Sequence, residues 1–234
     1  MERILEDIYC IEGLRVSKVY VIVGNDGLTL IDSGMPNSLP HIAKELQSIG
    51  HQIGEIKRIL ITHAHYDHIG SVSALVAASG AEVYAHHRYE SEVIRGEKKP
   101  LRPPVSELYG INKFIGSRFK DQPNEPTRVD HEFKGGDHLD VVLPGLEVFD
   151  TPGHSPGHSC FWQPQQRLLF AGDAIVRLFL KLQPPMPVFC SDIEEARRSV
   201  HRIAELDVET LCMGHGKPIR HHAAPLIRKL ASKL

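Results

Sequence analysis

The sequence predicts an α+β fold in which two β-sheets pack face to face with helices on their outer sides. Three observations predict it. Short β-branched runs bounded by Gly, Pro, Asn or Asp turns fall into two clusters, one ending near residue 85 and one beginning near residue 139. Each cluster is followed by stretches whose apolar residues recur at helical spacing. A sheet must bury its apolar face, so two groups of strands with helices after each suggest two similar halves joined through their sheets.

In chain order, residues 18–23 and 28–31 are strand-like and are separated by Gly24-Asn25-Asp26-Gly27, a hairpin signal. Asn37 and Ser38 offer a helix N-cap, Pro40 suits a first turn, and Ile42, Leu46 and Ile49 form one apolar face until Gly50. Residues 56–61 read as a buried strand, 71–79 as a short Ala-rich helix stopped by Gly80, and 82–85 as another strand. From about 95 to 129 the period is lost among Pro100, Pro103, Pro104, Pro123 and Pro126. This stretch carries more Lys and Arg than acids and reads either as a solvated loop or as a lid that attracts an anionic substrate. Strand signals return at 139–143, 146–149, 159–162 and 168–171. Ser191-Asp192-Ile193-Glu194 has the form of a capping box ahead of the stripe Ile193, Ala196, Val200 and Ile203. A last strand at 210–213 and a helix at 223–230 complete the pattern, in what reads as one domain over 1–234 with a lid-like insertion.

Composition narrows the function. A net charge of -2 over 234 residues supplies no basic field to hold nucleic acid. Cys10, Cys160, Cys190 and Cys212 are far apart, with no CxxC pair, which argues against a zinc ribbon or a disulfide framework and for a reduced, cytoplasmic setting. The first seven residues are too charged for a secretory signal, and no apolar run approaches the roughly 18 residues that span a bilayer. The terminal Ser232-Lys233-Leu234 would be a peroxisomal address only in a eukaryote.

The chemistry concentrates in Thr62-His63-Ala64-His65-Tyr66-Asp67-His68-Ile69-Gly70, where four metal-capable side chains occupy six positions directly after a strand. Imidazole and carboxylate suit Zn, Fe or Mn, and two ions sharing the loop would use all four groups. Three further candidates stand in glycine-rich turns after strands: His154 in Thr151-Pro152-Gly153-His154, Asp173 in Gly172-Asp173, and His215 in Gly214-His215-Gly216. Glycine there permits tight turns and close approach of a ligand.

Taken together, His-x-His-x-Asp-His followed by His, Asp and His in this order resembles the metallo-β-lactamase superfamily. Thr29-Leu30-Ile31-Asp32-Ser33-Gly34 extends the likeness. The resemblance implies an αββα sandwich with a dinuclear site at one edge between the sheets. It implies His63, His65 and His154 as ligands of one metal, Asp67, His68 and His215 as ligands of the other, and Asp173 as the bridge. Ala64 stands where the di-iron flavoprotein branch has an acidic ligand. Asp173 stands where true β-lactamases often have Cys, which favours branches that cleave esters, thioesters, lactones or phosphodiesters.

The cofactor expected is therefore two divalent ions, Zn first, with Fe or Mn as alternatives. Such ions, about 3.5 to 4 Å apart, would hold a bridging hydroxide at neutral pH that attacks a small ester, thioester or lactone carbonyl. Asp67 is expected to orient the nucleophile and pass its proton to the leaving group. Asp32, Thr62 and His158 are candidates to fix imidazole tautomers around the ligands. Tyr66, Tyr109 and Lys181 are candidates to touch substrate, and residues 178–189 to line the pocket or a homodimer contact. The remaining histidines, among them His86, His221 and His222, read as surface or loop. The likeness to glyoxalase II does not extend to its C-terminal glutathione-binding region, and Val176 stands where quorum-signal lactonases have tyrosine. Two alternatives share the fold: a mononuclear-iron persulfide-type dioxygenase and an RNA or DNA phosphodiesterase, for which the charge balance gives little support.

Overall fold

The computed structural model describes residues 1–14, 16–99 and 125–234. An N-terminal hairpin of β1 (Glu2–Leu5) and β2 (Ile8–Cys10) leads into β3 (Tyr20–Gly24) and β4 (Gly27–Ile31), which are joined across Asn25-Asp26 as the turn signal requires. Then come α1 (Leu39–Gln47), β5 (Ile56–Leu60), the single turn α2 (Tyr66–Ile69), α3 (Val72–Ser79), β6 (Glu82–His86), α4 (Tyr89–Ile94) and β7 (His131–Phe133). Among the described residues these seven strands form one sheet in sequence order, antiparallel up to β4 and parallel from β4 to β7.

The second sheet uses β8 (Glu147–Asp150), β9 (Ser159–Gln163), β10 (Leu168–Gly172) and β13 (Thr210–Met213), in the order β13-β10-β9-β8. A separate hairpin, β11 (Val176–Leu178) and β12 (Lys181–Gln183), follows β10. Helices α5 (Ile193–Ala204) and α6 (Ala223–Ala231) flank β13 in sequence.

Three apolar layers hold this sandwich. Between the sheets, Ile22, Ile31, Leu60 and Phe133 meet Phe161, Phe170 and Cys212. Outside the first sheet, Ile42 and Leu46 of α1 and Leu75 of α3 cover Leu30, Ile59 and Val83. Outside the second, Val200 and Ile203 of α5 and Ile227 of α6 cover Leu169 and Leu211. The run Leu168-Leu169-Phe170-Ala171 is apolar at every position because alternate residues serve opposite layers: Leu168 and Phe170 face the other sheet, Leu169 and Ala171 face the helices.

Several expectations are corrected. The halves are unequal, with seven strands against four among the described residues. Residues 139–143 are turns rather than a strand: Val142 N donates to Leu139 O (2.8 Å) and Leu143 N to the same oxygen (3.2 Å), which buries Leu139 and Val142 three residues apart and exposes Val141. Asp192, not Ser191, caps α5, accepting from Glu195 N at 2.9 Å. Ser38 precedes α1 but its hydroxyl donates back to Met35 O (2.7 Å) instead of capping the helix. The β1–β2 hairpin, α4, β7 and the β11–β12 hairpin carried too short a period to be read. The lid-like insertion lies largely, and Tyr109 wholly, outside the described residues.

Strand direction places the site. β4 and β5 are parallel, β10 and β13 are parallel, and β8 runs with β10 because each is antiparallel to β9. The two sheets are stitched together by Ser159 N donating to Thr62 O (2.9 Å) and by Tyr20 Oη donating to Met213 O (2.8 Å).

Candidate metal centre

The residues following β4, β5, β8, β10 and β13 converge at one edge of the sandwich. Asp32, directly after β4, is buried and has φ 63°, a conformation that costs an ordinary residue strain and that Asp tolerates better than most. Its carboxylate accepts from Thr62 N (2.9 Å), from Thr62 Oγ1 (2.9 Å) and from His68 Nδ1 (2.7 Å). Because Thr62 spends its proton on Asp32, its oxygen accepts from His63 Nδ1 at 3.1 Å. His63 and His68 are thereby left with Nε2 as the free lone pair. The Val16 carbonyl does the same for His215, accepting from Nδ1 at 3.0 Å.

His158 is set the other way. Its Nε2 accepts from Asp173 N (3.0 Å), so Nδ1 carries the proton and donates to Thr151 Oγ1 (2.7 Å). With both nitrogens engaged it anchors the Asp173 backbone, and burial holds its pKa down at about 3. Thr151, Val16 and Ser17, whose hydroxyl donates to Asp67 O, were not read from the sequence. Thr151 directly follows β8 and pairs with His158, a weak signal; the carbonyl of Val16 gives none.

Among the described residues, three groups of side chains offer donor atoms within 4.8 Å of one another: His63, His65 and His154; His63, His68 and Asp173; Asp67, His68 and His215. Asp173 joins them. Its Oδ2 lies 3.1 Å from His215 Nε2 and 3.4 Å from His154 Nε2, while Oδ1 lies 3.5 Å from His68 Nε2. Asp67 Oδ2 is 3.3 Å from His215 Nε2 and 3.6 Å from His68 Nε2.

These residues fit divalent cations. His68 Nε2 and Asp173 Oδ1 are buried and make no hydrogen bond, an arrangement that costs about 1–3 kcal/mol per group unless another partner satisfies it. His63 Nε2 and His154 Nε2 point at each other at 3.2 Å. Burial, reinforced by the neighbouring imidazoles, pushes the pKa of both far down, so they are neutral donors. On the other side, burial opposes charge on His68 and His215, but the carboxylates of Asp173 and Asp67 prevail and raise them to about 9 and about 11. The carboxylates thus draw positive charge into this half of the site. A bound cation would supply that positive charge in place of the protons on His68 and His215, since neutral imidazole and ionised carboxylate are the forms that ligate metal.

Glycine leaves the room. A Cβ at Gly214 would collide with Asp173 Oδ1 and come within 2.7 Å of His68 Cε1. Gly153, with φ +120°, lets the 151–158 turn lie on the backbone of Ala196 at the start of α5.

Tyr66, between His65 and Asp67, opens α2 and is half-buried. Lys181 is exposed and lines a cavity with Arg177 and Leu226, apart from the His/Asp cluster. His221 and His222 are exposed, as expected. His86, expected at the surface, is buried at the end of β6 with Nε2 3.3 Å from Asp150 Oδ1; the parallel pairing of β6 carries it into the same edge of the fold.

The fold and paired metal-binding triads define a metallo-β-lactamase-type protein. Residues 13–215 match the model of the metallo-beta-lactamase superfamily, and the chain belongs to that superfamily. It is 29% identical over 209 residues to the probable metallo-hydrolase YflN of Bacillus subtilis (strain 168), across 81% of this chain and 75% of that one. It is 27% identical over 120 residues to the hydroxyacylglutathione hydrolase GloC of Haemophilus influenzae, across 51% of this chain and 50% of that one. Among solved structures, TTHA1623 in a di-iron-bound form is 26% identical with a TM-score of 0.68, covering 97% of this chain and 98% of that one.

Proposed function

We propose that the protein is a metal-dependent hydrolase of small esters, thioesters or lactones, with His63, His65 and His154 holding one divalent ion, Asp67, His68 and His215 the other, and Asp173 shared. The position of Asp173 between His154 and His215 is the observation that carries this reading. Similarity to a probable metallo-hydrolase and to a thioester hydrolase supports it, and the di-iron-bound relative makes iron a candidate beside zinc and manganese. When bound, such a pair of ions acidifies water toward a pKa of about 7 and polarises a carbonyl oxygen.

The chain's own residues supply the rest. Asp67 turns Oδ2 toward His68 and His215, which leaves Oδ1 to accept a proton from the attacking water. As the water oxygen bonds to the acyl carbon and the carbon–sulfur or carbon–oxygen bond breaks, that proton passes to the leaving group. Asp32, Thr62 and Val16 keep His68, His63 and His215 aimed inward throughout, and His158 holds the Asp173 backbone.

The Asp67, His68 and His215 group supports two ions over the mononuclear-iron dioxygenase reading. Asp173→Asn tests the proposal: metal content falls below two equivalents and hydrolysis of a thioester and lactone panel is lost. Unchanged metal content and activity would refute it. One iron per chain, with oxygen uptake on glutathione persulfide, would favour the dioxygenase instead.

Among the described residues no helix is long and apolar enough to cross a membrane. The four cysteines are free and buried, which supports a reduced, cytoplasmic setting. Phe179 and Leu180, 94% and 81% exposed at the tip of the β11–β12 hairpin, support a homodimer contact that sedimentation would detect.

A further inference from the structure

Beside the metal centre lies a cavity of about 110 Å³ bounded on one side by His154, Asp173 and His215. Its opposite walls include Val176, Leu178, Met186 and Phe189. Strand alternation makes the first pair of walls: Val176 and Leu178 of β11 line this cavity, while Arg177 between them lines the separate one that holds Lys181. The second pair comes from a single 3₁₀ turn in which Phe189 N donates to Met186 O (2.9 Å) and Cys190 N to Pro187 O (3.1 Å). These four walls are aliphatic, thioether or aromatic, and among the described residues the charged groups that border the cavity are those of the His/Asp cluster.

We infer that this cavity receives the acyl group of the substrate, and that the substrate is an ester or thioester of a short, uncharged aliphatic acid; this rests on the hydrolase reading above. The cavity opens on Asp173 and His215, so a carbonyl held at the centre directs one of its two substituents into it. Size decides which one. At about 30 Å³ per water-sized group, 110 Å³ has room for roughly three or four methylenes and not for a thiol or alcohol carrier of any bulk. The leaving group therefore points outward. Chemistry decides the character of the acyl group: a terminal carboxylate would be desolvated against Val176, Leu178, Met186 and Phe189, whose side chains offer it no donor.

The test uses the zinc-loaded protein and N-acetylcysteamine thioesters of acetate, butanoate, hexanoate, decanoate and succinate. The expected result is a rise in kcat/KM of about fourfold per methylene up to butanoyl, little further gain at hexanoyl, none at decanoyl, and succinyl at least tenfold below butanoyl. Calorimetric binding of the free acids acetate, butanoate, hexanoate and succinate to the same protein gives the same order without any turnover. Met186→Glu lowers the butanoyl-to-acetyl ratio, whereas Met186→Leu preserves it. Chain-length-dependent binding without hydrolysis of any thioester would sustain the apolar pocket and overturn the hydrolase reading. Hydrolysis and binding both indifferent to chain length, or succinyl preferred, would overturn the pocket and leave the hydrolase reading standing.

Discussion

Asp32 accepts a hydrogen bond from His68 Nδ1 at 2.7 Å, and this single contact decides which nitrogen of His68 faces the metal centre. Removing the acceptor frees the imidazole to rotate and to change tautomer. Asp32→Ala is expected to weaken metal binding about 10–100-fold, the usual cost of losing a partner behind a ligand. Chelator competition against a zinc-sensitive dye measures it. Retention of full affinity would show that Asp32 only stabilises the turn.

Metal removal should cost stability as well as activity. Buried atoms such as His68 Nε2 and Asp173 Oδ1 have no hydrogen-bond partner, so an ion bound by the folded state alone stabilises it by mass action. At a thousandfold excess over Kd this amounts to about 4 kcal/mol. For a chain of this size a fall in Tm on the order of 10 °C after chelation follows, reversed by adding back zinc and readable by calorimetry.

Gly153→Ala should damage the fold and the site together. The residue sits at φ +120°, and a Cβ would strike the Ala196 backbone while the Gly153 carbonyl accepts from Ser191 N and Asp192 N. A cost of about 3 kcal/mol or more is expected from overpacking and backbone strain. Urea unfolding of metal-free protein measures it, and the displacement of His154 predicts weaker metal binding in the same variant.

Glu90 braces the neighbouring turn from α4. The Ser155 hydroxyl donates to its Oε1, and Oε2 is buried without a hydrogen bond. Burial pushes its pKa up despite Ser155 and His86. A carboxyl raised in the folded state contributes stability below its unfolded pKa, about 4.3, and loses it as pH rises through the raised value. Glu90→Gln should therefore be more stable than the parent at pH 8, with the difference vanishing near pH 4. Glu90→Ala, which strips Ser155 of its acceptor, should lose about 1–3 kcal/mol near pH 4 and less at pH 8, where the parent itself carries the buried charge. Denaturant midpoints at the two pH values separate these outcomes.

Much of this was legible in the chain. The loop from His63 to His68 declares a metal site because its donors are adjacent in sequence, and Gly153, Gly172 and Gly214 mark the turns where His154, Asp173 and His215 stand. Apolar runs such as 168–171 announced strands, and the structure buries this one on both faces. The expected strand at 139–143 fails because its four apolar residues, Leu139, Val141, Val142 and Leu143, suit a strand that buries alternate positions as well as a turn that buries Leu139 and Val142, and the bond from Val142 N to Leu139 O selects the turn.

By itself the sequence determined the fold class, because residue types and spacings within short segments carry it, and the resemblance of its His and Asp motifs to the metallo-β-lactamase superfamily pointed to the donor set and the class of chemistry. The tertiary structure alone decided how each donor is aimed. Asp32 and His68 are 36 residues apart and Val16 and His215 are 199 apart, so the contacts that fix their tautomers exist only once the two sheets have packed. The same packing buries His86, brings Asp173 between His154 and His215, and folds the β11–β12 hairpin beside them to leave an apolar cavity that no local pattern foretold.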